Sequence, residues 1–295
     1  MFVIFGATGR VGRSTAAALR HAGHAVRAVA RDPSQCEALT RIGCEVVRGD
    51  LDDEASMHRA LDGAVAVQML CPVPPQEPDP AAAMRNTIDT AARVLRAHPH
   101  LHVVALSDYG AELDADTGIT MLFHYLEAAF RDAAPRLTLL RAAEHMQNWA
   151  RVLPAALATG RLPSLHHPID RLFPTVSAHD VGSVAAQLLS DGPARDGVRV
   201  VSVEGPRRYA AKDVARVLGE ASGCDVVALA LPRDQWEPTL SRAGLNANHA
   251  KLIVDLYDAQ NAQRIDVEAG VGERRFGTTE LREVFDALVQ ANNAR

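Results

Sequence analysis

Lysine is nearly absent from this sequence: of its 31 lysine and arginine residues, only Lys212 and Lys251 are lysines. The first 211 residues therefore contain no lysine that could lower the pKa of a catalytic group close to it in sequence. The formal net charge of -5 is modest, and no basic block offers the concentrated positive face that nucleic-acid phosphates need. The composition argues against a nucleic-acid partner.

Paired cysteines and long apolar runs are missing as well. The four cysteines are scattered without a paired spacing, which argues against a disulfide framework and a structural zinc site. No apolar run reaches the roughly 20 residues that span a bilayer, so we expect a cytoplasmic protein with no membrane segment. A histidine stands at every second position from 98 to 102, but Pro99 interrupts them and no carboxylate accompanies them, so we expect no metal site.

Apolar runs and helix-like segments alternate along the first 150 residues. This alternation is typical of βαβ units, which build a parallel sheet with right-handed crossovers. We therefore predict an α/β fold with a Rossmann-type, doubly wound parallel sheet. The predicted strands cover residues 1–5, 24–31, 44–49, 64–71, 101–107, 136–142 and 197–203.

A glycine pattern follows the first predicted strand and opens the first helix, as Gly6-Ala7-Thr8-Gly9-Arg10-Val11-Gly12. In this context the first glycine permits a sharp turn, the second lets the backbone approach a pyrophosphate, and the third lets helix and strand pack closely. The helix N-terminus offers free N–H groups and a partial positive charge, and Thr8 adds a hydroxyl. The pattern predicts a dinucleotide site.

The end of the second strand decides between NAD and NADP. An acid there would accept the ribose hydroxyls of NAD, but Arg31 holds the position, and its guanidinium can bind the 2′-phosphate of NADP. Asp32 follows and could be the NAD-type acid, although its place before Pro33 also suits a helix cap. We expect NADP(H), with NAD(H) as the less favoured alternative.

Two more strand ends are expected to contact the cofactor. Asp50 ends the third strand and could accept a hydrogen bond from the adenine amino group, while Leu51 packs on the ring. A helix cap at Asp50 is the alternative. The fourth strand should end beneath the ribose and pyrophosphate, with Leu70, Cys71 and Pro72.

These stretches together resemble the NmrA-like group of atypical short-chain dehydrogenases/reductases. The resemblance rests on GATGRVG at 6–12, VRAVARDP at 26–33, VVRGDLDD at 46–53, VVALSDYGAE at 103–112 and the segment 123–149. It implies a Rossmann fold with bound NADP(H) and a small substrate lobe. Residues 1–150 would form the NAD(P)-binding domain and residues 151–295 a smaller, mainly helical substrate-binding lobe, with strand 197–203 returning to the main sheet.

The group includes quinone, azo-dye and triphenylmethane-dye reductases, and also redox sensors that bind dinucleotide without turning it over. The usual short-chain dehydrogenase dyad, a tyrosine with a lysine four residues later, is absent at both Tyr109 and Tyr125. His124 aligns with the group's basic residue and could donate a proton or hold the nicotinamide ribose. Its alternative is a packed or surface histidine.

Other candidate residues follow the fifth and sixth strands. Ser107 could contact the nicotinamide or substrate, or could simply be a turn-forming hydroxyl, and Tyr109 is a candidate acid or pocket residue. The predicted pocket wall consists of His145, Met146, Asn148 and Trp149, with ordinary core packing as the alternative for the methionine and the tryptophan. The histidine pair at 166 and 167 could contact the substrate, but we favour the interpretation that it is an exposed loop pair.

Hydride transfer is the chemistry of the cofactor, and the protein must align donor and acceptor. An electron-poor quinone, azo compound or cationic dye can take its proton from solvent, whereas a plain ketone needs a donor. The missing dyad therefore favours an NADPH-dependent reductase of small, conjugated, electron-poor substrates. The alternative is a non-catalytic NADP(H)-binding redox sensor that acts through a protein partner.

Overall fold

The computed structural model describes residues 1–195 and 197–293. Its strands are β1 (Phe2–Ile4), β2 (Val26–Ala30), β3 (Glu45–Arg48), β4 (Ala66–Met69), β5 (His102–Asp108), β6 (Leu137–Ala142), β7 (Glu144–His145), β8 (Arg161–Ser164), β9 (Thr175–Val176), β10 (Arg199–Glu204), β11 (Val227–Ala230) and β12 (Glu273–Phe276). Its α-helices are α1 (Arg10–His21), α2 (Glu37–Arg41), α3 (Glu54–Leu61), α4 (Pro80–Arg96), α5 (Thr120–Ala133), α6 (Leu153–Thr159), α7 (Ala178–Asp191), α8 (Ala211–Ser222), α9 (Trp236–Arg242), α10 (Ala247–Asn261) and α11 (Leu281–Asn293). Single 3₁₀ segments cover Pro33–Cys36, Met146–Arg151 and Arg233–Gln235.

In the described part of the chain, eight strands form one parallel sheet in the order β12-β10-β6-β5-β4-β1-β2-β3. The seven strands predicted from the apolar runs all lie in it, so the α/β, Rossmann-type prediction is confirmed. Because all strands run in the same direction, the loops that follow β1, β2, β3, β4, β5 and β6 meet along one edge. Ligands of such sheets bind at that edge.

Helices cover both faces of the sheet, which makes it doubly wound. Side chains of α1 and α7 form the core on one face, and side chains of α3, α4 and α5 form the core on the other. A glycine allows the close contact of α1 with α7, because a Cβ at Gly182 would lie 2.6 Å from the carbonyl oxygen of Val11. This contact fixes the N-terminal end of α1 at the ligand edge.

The second half of the chain was predicted to be mainly helical, but the structure also contains several short strands there. β12 joins the main sheet as its edge strand, although its sequence ERRF shows no apolar alternation. An edge strand whose side chains are exposed does not need apolar residues, so the search for apolar runs could not find β12. Two small sheets, β11-β8 and β7-β9, were also not predicted.

The chain after β7 forms a 3₁₀ segment, Met146–Arg151, and then α6, with Pro154 in the first turn of α6. No described helix is both long and apolar enough to cross a membrane. The division of the chain at residue 150 stays a prediction. Two strands that follow this point, β10 and β12, lie in the main sheet together with the strands of the first half.

Candidate active site

The glycine loop between β1 and α1 has the shape that a phosphate-binding turn needs. Gly6 has φ +72°, a left-handed conformation that glycine adopts without strain, and its carbonyl oxygen accepts from the N–H of Gly9 at 3.0 Å. A Cβ at Gly12 would lie 2.2 Å from the same oxygen, so only glycine fits there. Arg10 is exposed in the first turn of α1, and Val11 packs into the core, which leaves only its backbone for a ligand.

A long cleft, here called the sheet-edge cleft, runs along the carboxyl ends of β1 to β4. Its lining joins most of the predicted cofactor residues, namely Gly6, Thr8, Gly9, Arg31, Asp50, Leu51, Leu70 and Pro72. Cys71 is different: its side chain is fully buried in the core, and burial raises the pKa of its thiol to about 12. The Cys71 side chain therefore does not line the cleft.

Asp32 and Asp50 were each assigned two alternative roles, and the structure shows their local bonds. Asp32 caps the 3₁₀ turn, since its carboxylate accepts from the N–H of Ser34 at 3.0 Å and from its hydroxyl at 2.7 Å. These bonds hold the pKa of Asp32 below its usual value. Asp50 does not cap α3, because the helix begins later and Asp53 accepts from its first N–H groups.

Arginine side chains gather beside the sheet-edge cleft, at the carboxyl ends of β2 and β3. Arg31, Arg48 and Arg59 line one hollow together with Asp50 and Asp53. Within residues 1–195 and 197–293, none of these three guanidinium groups forms a salt bridge. Sequence reasoning named only Arg31; Arg48 was missed, although β3 pairs with β2 so that Arg48 lies opposite Ala30.

The three predicted catalytic residues have different local environments. Ser107 donates its hydroxyl proton to Glu127 at 2.6 Å, within a buried cluster. His124, on α5, has Nδ1 3.0 Å from the carbonyl oxygen of Ala111. Tyr109 is 3% exposed, and its hydroxyl has no hydrogen-bond partner among the described residues.

A buried ion pair joins the ends of β5 and β6 to α5, and sequence reasoning missed it. The guanidinium of Arg141 binds both carboxylate oxygens of Glu127, at 2.8 and 2.7 Å, and reaches Glu112 at 3.0 Å and Glu268. Arg141 is 3% exposed and Glu127 is 4% exposed. Ser107 is therefore held by this ion pair rather than free to face a ligand.

A second space, here called the inner cavity, opens where β5 and β6 end. Its lining includes Asp108, Tyr109, Glu144, His166, Arg171 and Arg208. The interpretation of the histidine pair as exposed was wrong for His166, which is 4% exposed and stacks on Phe173 with ring centroids 3.7 Å apart. Folding of the 165–174 loop against α10 buries it, which no local sequence pattern showed.

Glu144 binds two groups from distant parts of the chain beside this cavity. Its carboxylate oxygens lie 3.0 Å from Nε2 of His166 and 2.9 Å from the hydroxyl of Tyr257 on α10. Burial acts to raise the pKa of Glu144, but the His166 charge and these bonds hold it below its usual value. The cavity therefore contains a carboxylate that stays ionised.

The predicted pocket wall after β6 lies mostly in the protein interior. Met146 and Trp149 belong to the apolar core of the second half, with 0% and 7% exposure, as their alternative interpretation had it. Burial lowers the pKa of His145 to about 4, and Asn148 is half-buried. None of these four side chains is part of the inner-cavity lining.

Comparison with known protein families decides the class of the nucleotide site. Residues 6–192, more than half of the chain, match the family model described as NAD(P)H-binding. The chain belongs to the NAD(P)H-binding family. This confirms the sequence-based assignment to an NAD(P)-binding Rossmann family, and the matched region contains both the sheet-edge cleft and the Glu127–Arg141 pair.

Relatives of this member of the NAD(P)H-binding family are reductases. A (4-alkanoyl-5-oxo-2,5-dihydrofuran-3-yl)methyl phosphate reductase from Streptomyces griseus is 33% identical over 257 residues, covering 84% of this chain and 86% of the relative. A triphenylmethane reductase from Citrobacter sp. matches in structure with TM-score 0.80 and 18% identity, over 98% of this chain and 99% of the other. An NADPH-dependent quinone oxidoreductase from Escherichia coli, solved with NADPH, matches with TM-score 0.79, 22% identity and the same coverage. At these identities the two solved structures establish the fold alone.

Proposed function

We propose that this protein is an NADPH-dependent reductase of small, conjugated, electron-poor substrates, acting by direct hydride transfer. The observation that carries the proposal is the sheet-edge cleft, whose lining joins the glycine loop, Asp50 with Leu51, and Arg31. The reductase relatives support it, including a dihydrofuranone reductase at 33% identity. The bound nicotinamide would supply the hydride.

The residues of the cleft fit such a cofactor. The glycine loop leaves backbone N–H groups at the start of α1 free for a pyrophosphate, and a side chain at Gly12 would clash with that turn. Leu51 offers an apolar contact to an adenine ring. Arg31, with Arg48 beside it, would hold a 2′-phosphate, since neither guanidinium is engaged by a carboxylate among the described residues.

The inner cavity is our proposed acceptor site. It opens at the carboxyl ends of β5 and β6, next along the sheet from the cleft, where the reacting end of a dinucleotide would point. The stacked rings of His166 and Phe173 form one wall that fits a flat, conjugated acceptor and excludes water from it. The loss of NADPH absorbance in stopped-flow mixing with quinone, azo, triphenylmethane and unsaturated-lactone acceptors tests this. If NADPH binds tightly but its absorbance does not fall with any acceptor, the result would instead favour the non-catalytic sensor.

Replacing Arg31 with alanine should reduce NADPH affinity by about 10- to 100-fold, because a charge-assisted bond to phosphate contributes roughly 1.5–3 kcal/mol. NADH, which lacks the 2′-phosphate, should bind as it does to the wild type. The measurement is fluorescence titration of both cofactors. Arg216→Ala is the matched control, since Arg216 is exposed on α8 and pairs with Glu220. An equal loss of affinity for NADPH and NADH would show that Arg31 does not bind the 2′-phosphate.

A further inference from the structure

Asp108 is a carboxyl group at the carboxyl end of β5, in the lining of the proposed acceptor site. It is the last residue of β5, follows Ser107 directly and lines the inner cavity. The hydroxyl of Thr120, in the first turn of α5, donates to its Oδ2 at 3.0 Å. One carboxyl oxygen is thus held by the protein while the group faces the cavity.

Burial and two nearby carboxylates oppose the ionisation of Asp108. Glu144 on β7 and Glu112 in the loop after β5 both face it with negative charge, and the cavity's Arg208 is already paired with Asp266. Loss of hydration is the main cause, and with these charges it raises the pKa of Asp108 to about 7 despite the Thr120 bond. At neutral pH a large fraction of Asp108 is therefore the neutral acid, which can donate a proton.

We propose that Asp108 is the proton donor of this enzyme and does the work of the missing tyrosine–lysine pair. This proposal rests on the proposed reductase function and names the residue that completes it. An acceptor with a conjugated carbonyl would gain a C–H bond as the C–H bond at nicotinamide C4 of bound NADPH breaks, so that NADPH is oxidised to NADP+ and the acceptor is reduced. The π electrons of the acceptor move to its carbonyl oxygen. The O–H bond of Asp108 then breaks, its proton forms an O–H bond on that oxygen, and the carboxylate regains a proton from water.

Glu144 acts through Asp108 as a positioning residue. His166 and Tyr257 keep Glu144 ionised, and its fixed negative charge opposes a second negative charge on Asp108. Two carboxyl groups in one cavity are thereby given different protonation states, which is one arrangement that keeps a carboxylic acid protonated near neutral pH.

The pH profile of an unsaturated-lactone reduction tests Asp108 directly. Since the acid form is the active one, kcat/KM of the wild type should be level below about pH 7 and fall about tenfold per unit above it. Asp108→Asn keeps the Thr120 contact but has no acidic proton. Its kcat/KM should therefore be about 100-fold lower and should not show the decrease above about pH 7. Asp114→Asn, an exposed change in the same loop, is the matched control. A cationic triphenylmethane dye needs hydride only, so its reduction should be unaffected.

A spectroscopic titration gives a readout that does not depend on turnover. Infrared difference spectra of the protein should show a carboxyl C=O band that titrates near pH 7 and is absent in Asp108→Asn. In Glu144→Gln the same band should titrate at lower pH, because the opposing charge is gone. If the lactone is reduced but Asp108→Asn keeps the wild-type rate and pH dependence, the proton-donor proposal is wrong while the proposed reductase function stands. If no acceptor is reduced by the wild type, the proposed function fails, and the proposal with it.

Discussion

Arg141→Ala is expected to lower the free energy of unfolding by about 3–5 kcal/mol. The change leaves the carboxylate of Glu127 buried without its bidentate partner, and removing one member of a buried ion pair costs far more than an exposed pair contributes. The hydroxyl of Ser107 still donates to this carboxylate, but a neutral donor cannot replace the lost positive charge. Urea unfolding followed by circular dichroism measures the loss.

Arg131→Ala is the control for this change. Arg131 lies on α5 and approaches the same Glu127 at 3.5 Å, but 41% of its side chain is exposed. An exposed pair of this kind contributes about 0–1 kcal/mol. Similar small losses for both variants would contradict the view that the Glu127–Arg141 pair anchors the end of β5 and β6.

Gly12→Ala should weaken NADPH binding by about 10- to 100-fold, because loss of a hydrogen bond to a charged phosphate costs roughly 1.5–3 kcal/mol. Its Cβ would lie 2.2 Å from the carbonyl oxygen of Gly6 and 2.9 Å from Cα of Ala7, and backbone atoms cannot rotate away as a side chain can. The loop must therefore shift from the position in which its N–H groups face the cleft. Isothermal calorimetry with NADPH measures the loss.

Gly23→Ala, beyond the opposite end of α1, separates strain from binding. Gly23 has φ +83°, and no described atom outside its immediate chain neighbours lies within 4 Å of the position that a Cβ would take, so the variant is strained but does not disturb the loop. It should lose about 1 kcal/mol of stability and keep its NADPH affinity. If Gly12→Ala behaved in the same way, the loop would not be the phosphate site.

Local patterns in the sequence were sufficient to predict seven of the eight strands of the main sheet and the residues that line the sheet-edge cleft at its glycine loop. The glycine spacing predicted the tight turn that Gly6 and Gly12 form, and the strand end predicted that Arg31 lines the cleft, because each of these features depends on residues a few positions apart. Arg48 could have been found from strand pairing, since β2 and β3 are neighbours and end together.

The reacting end could not be predicted in the same way. Ser107 follows a strand, as a ligand-binding residue would, but its hydroxyl is engaged by Glu127, 20 residues later. Tyr257 reaches Glu144 across 113 positions. Such contacts are decided by tertiary packing, and periodicity carries no information about them.

Equilibrium titration of the purified protein with NADPH and NADH tests the central claim, that the glycine loop holds a pyrophosphate and Arg31 the 2′-phosphate. The account predicts saturable binding of NADPH, at least about tenfold tighter than that of NADH. Absence of saturable binding, or equal affinities for the two cofactors, would contradict it.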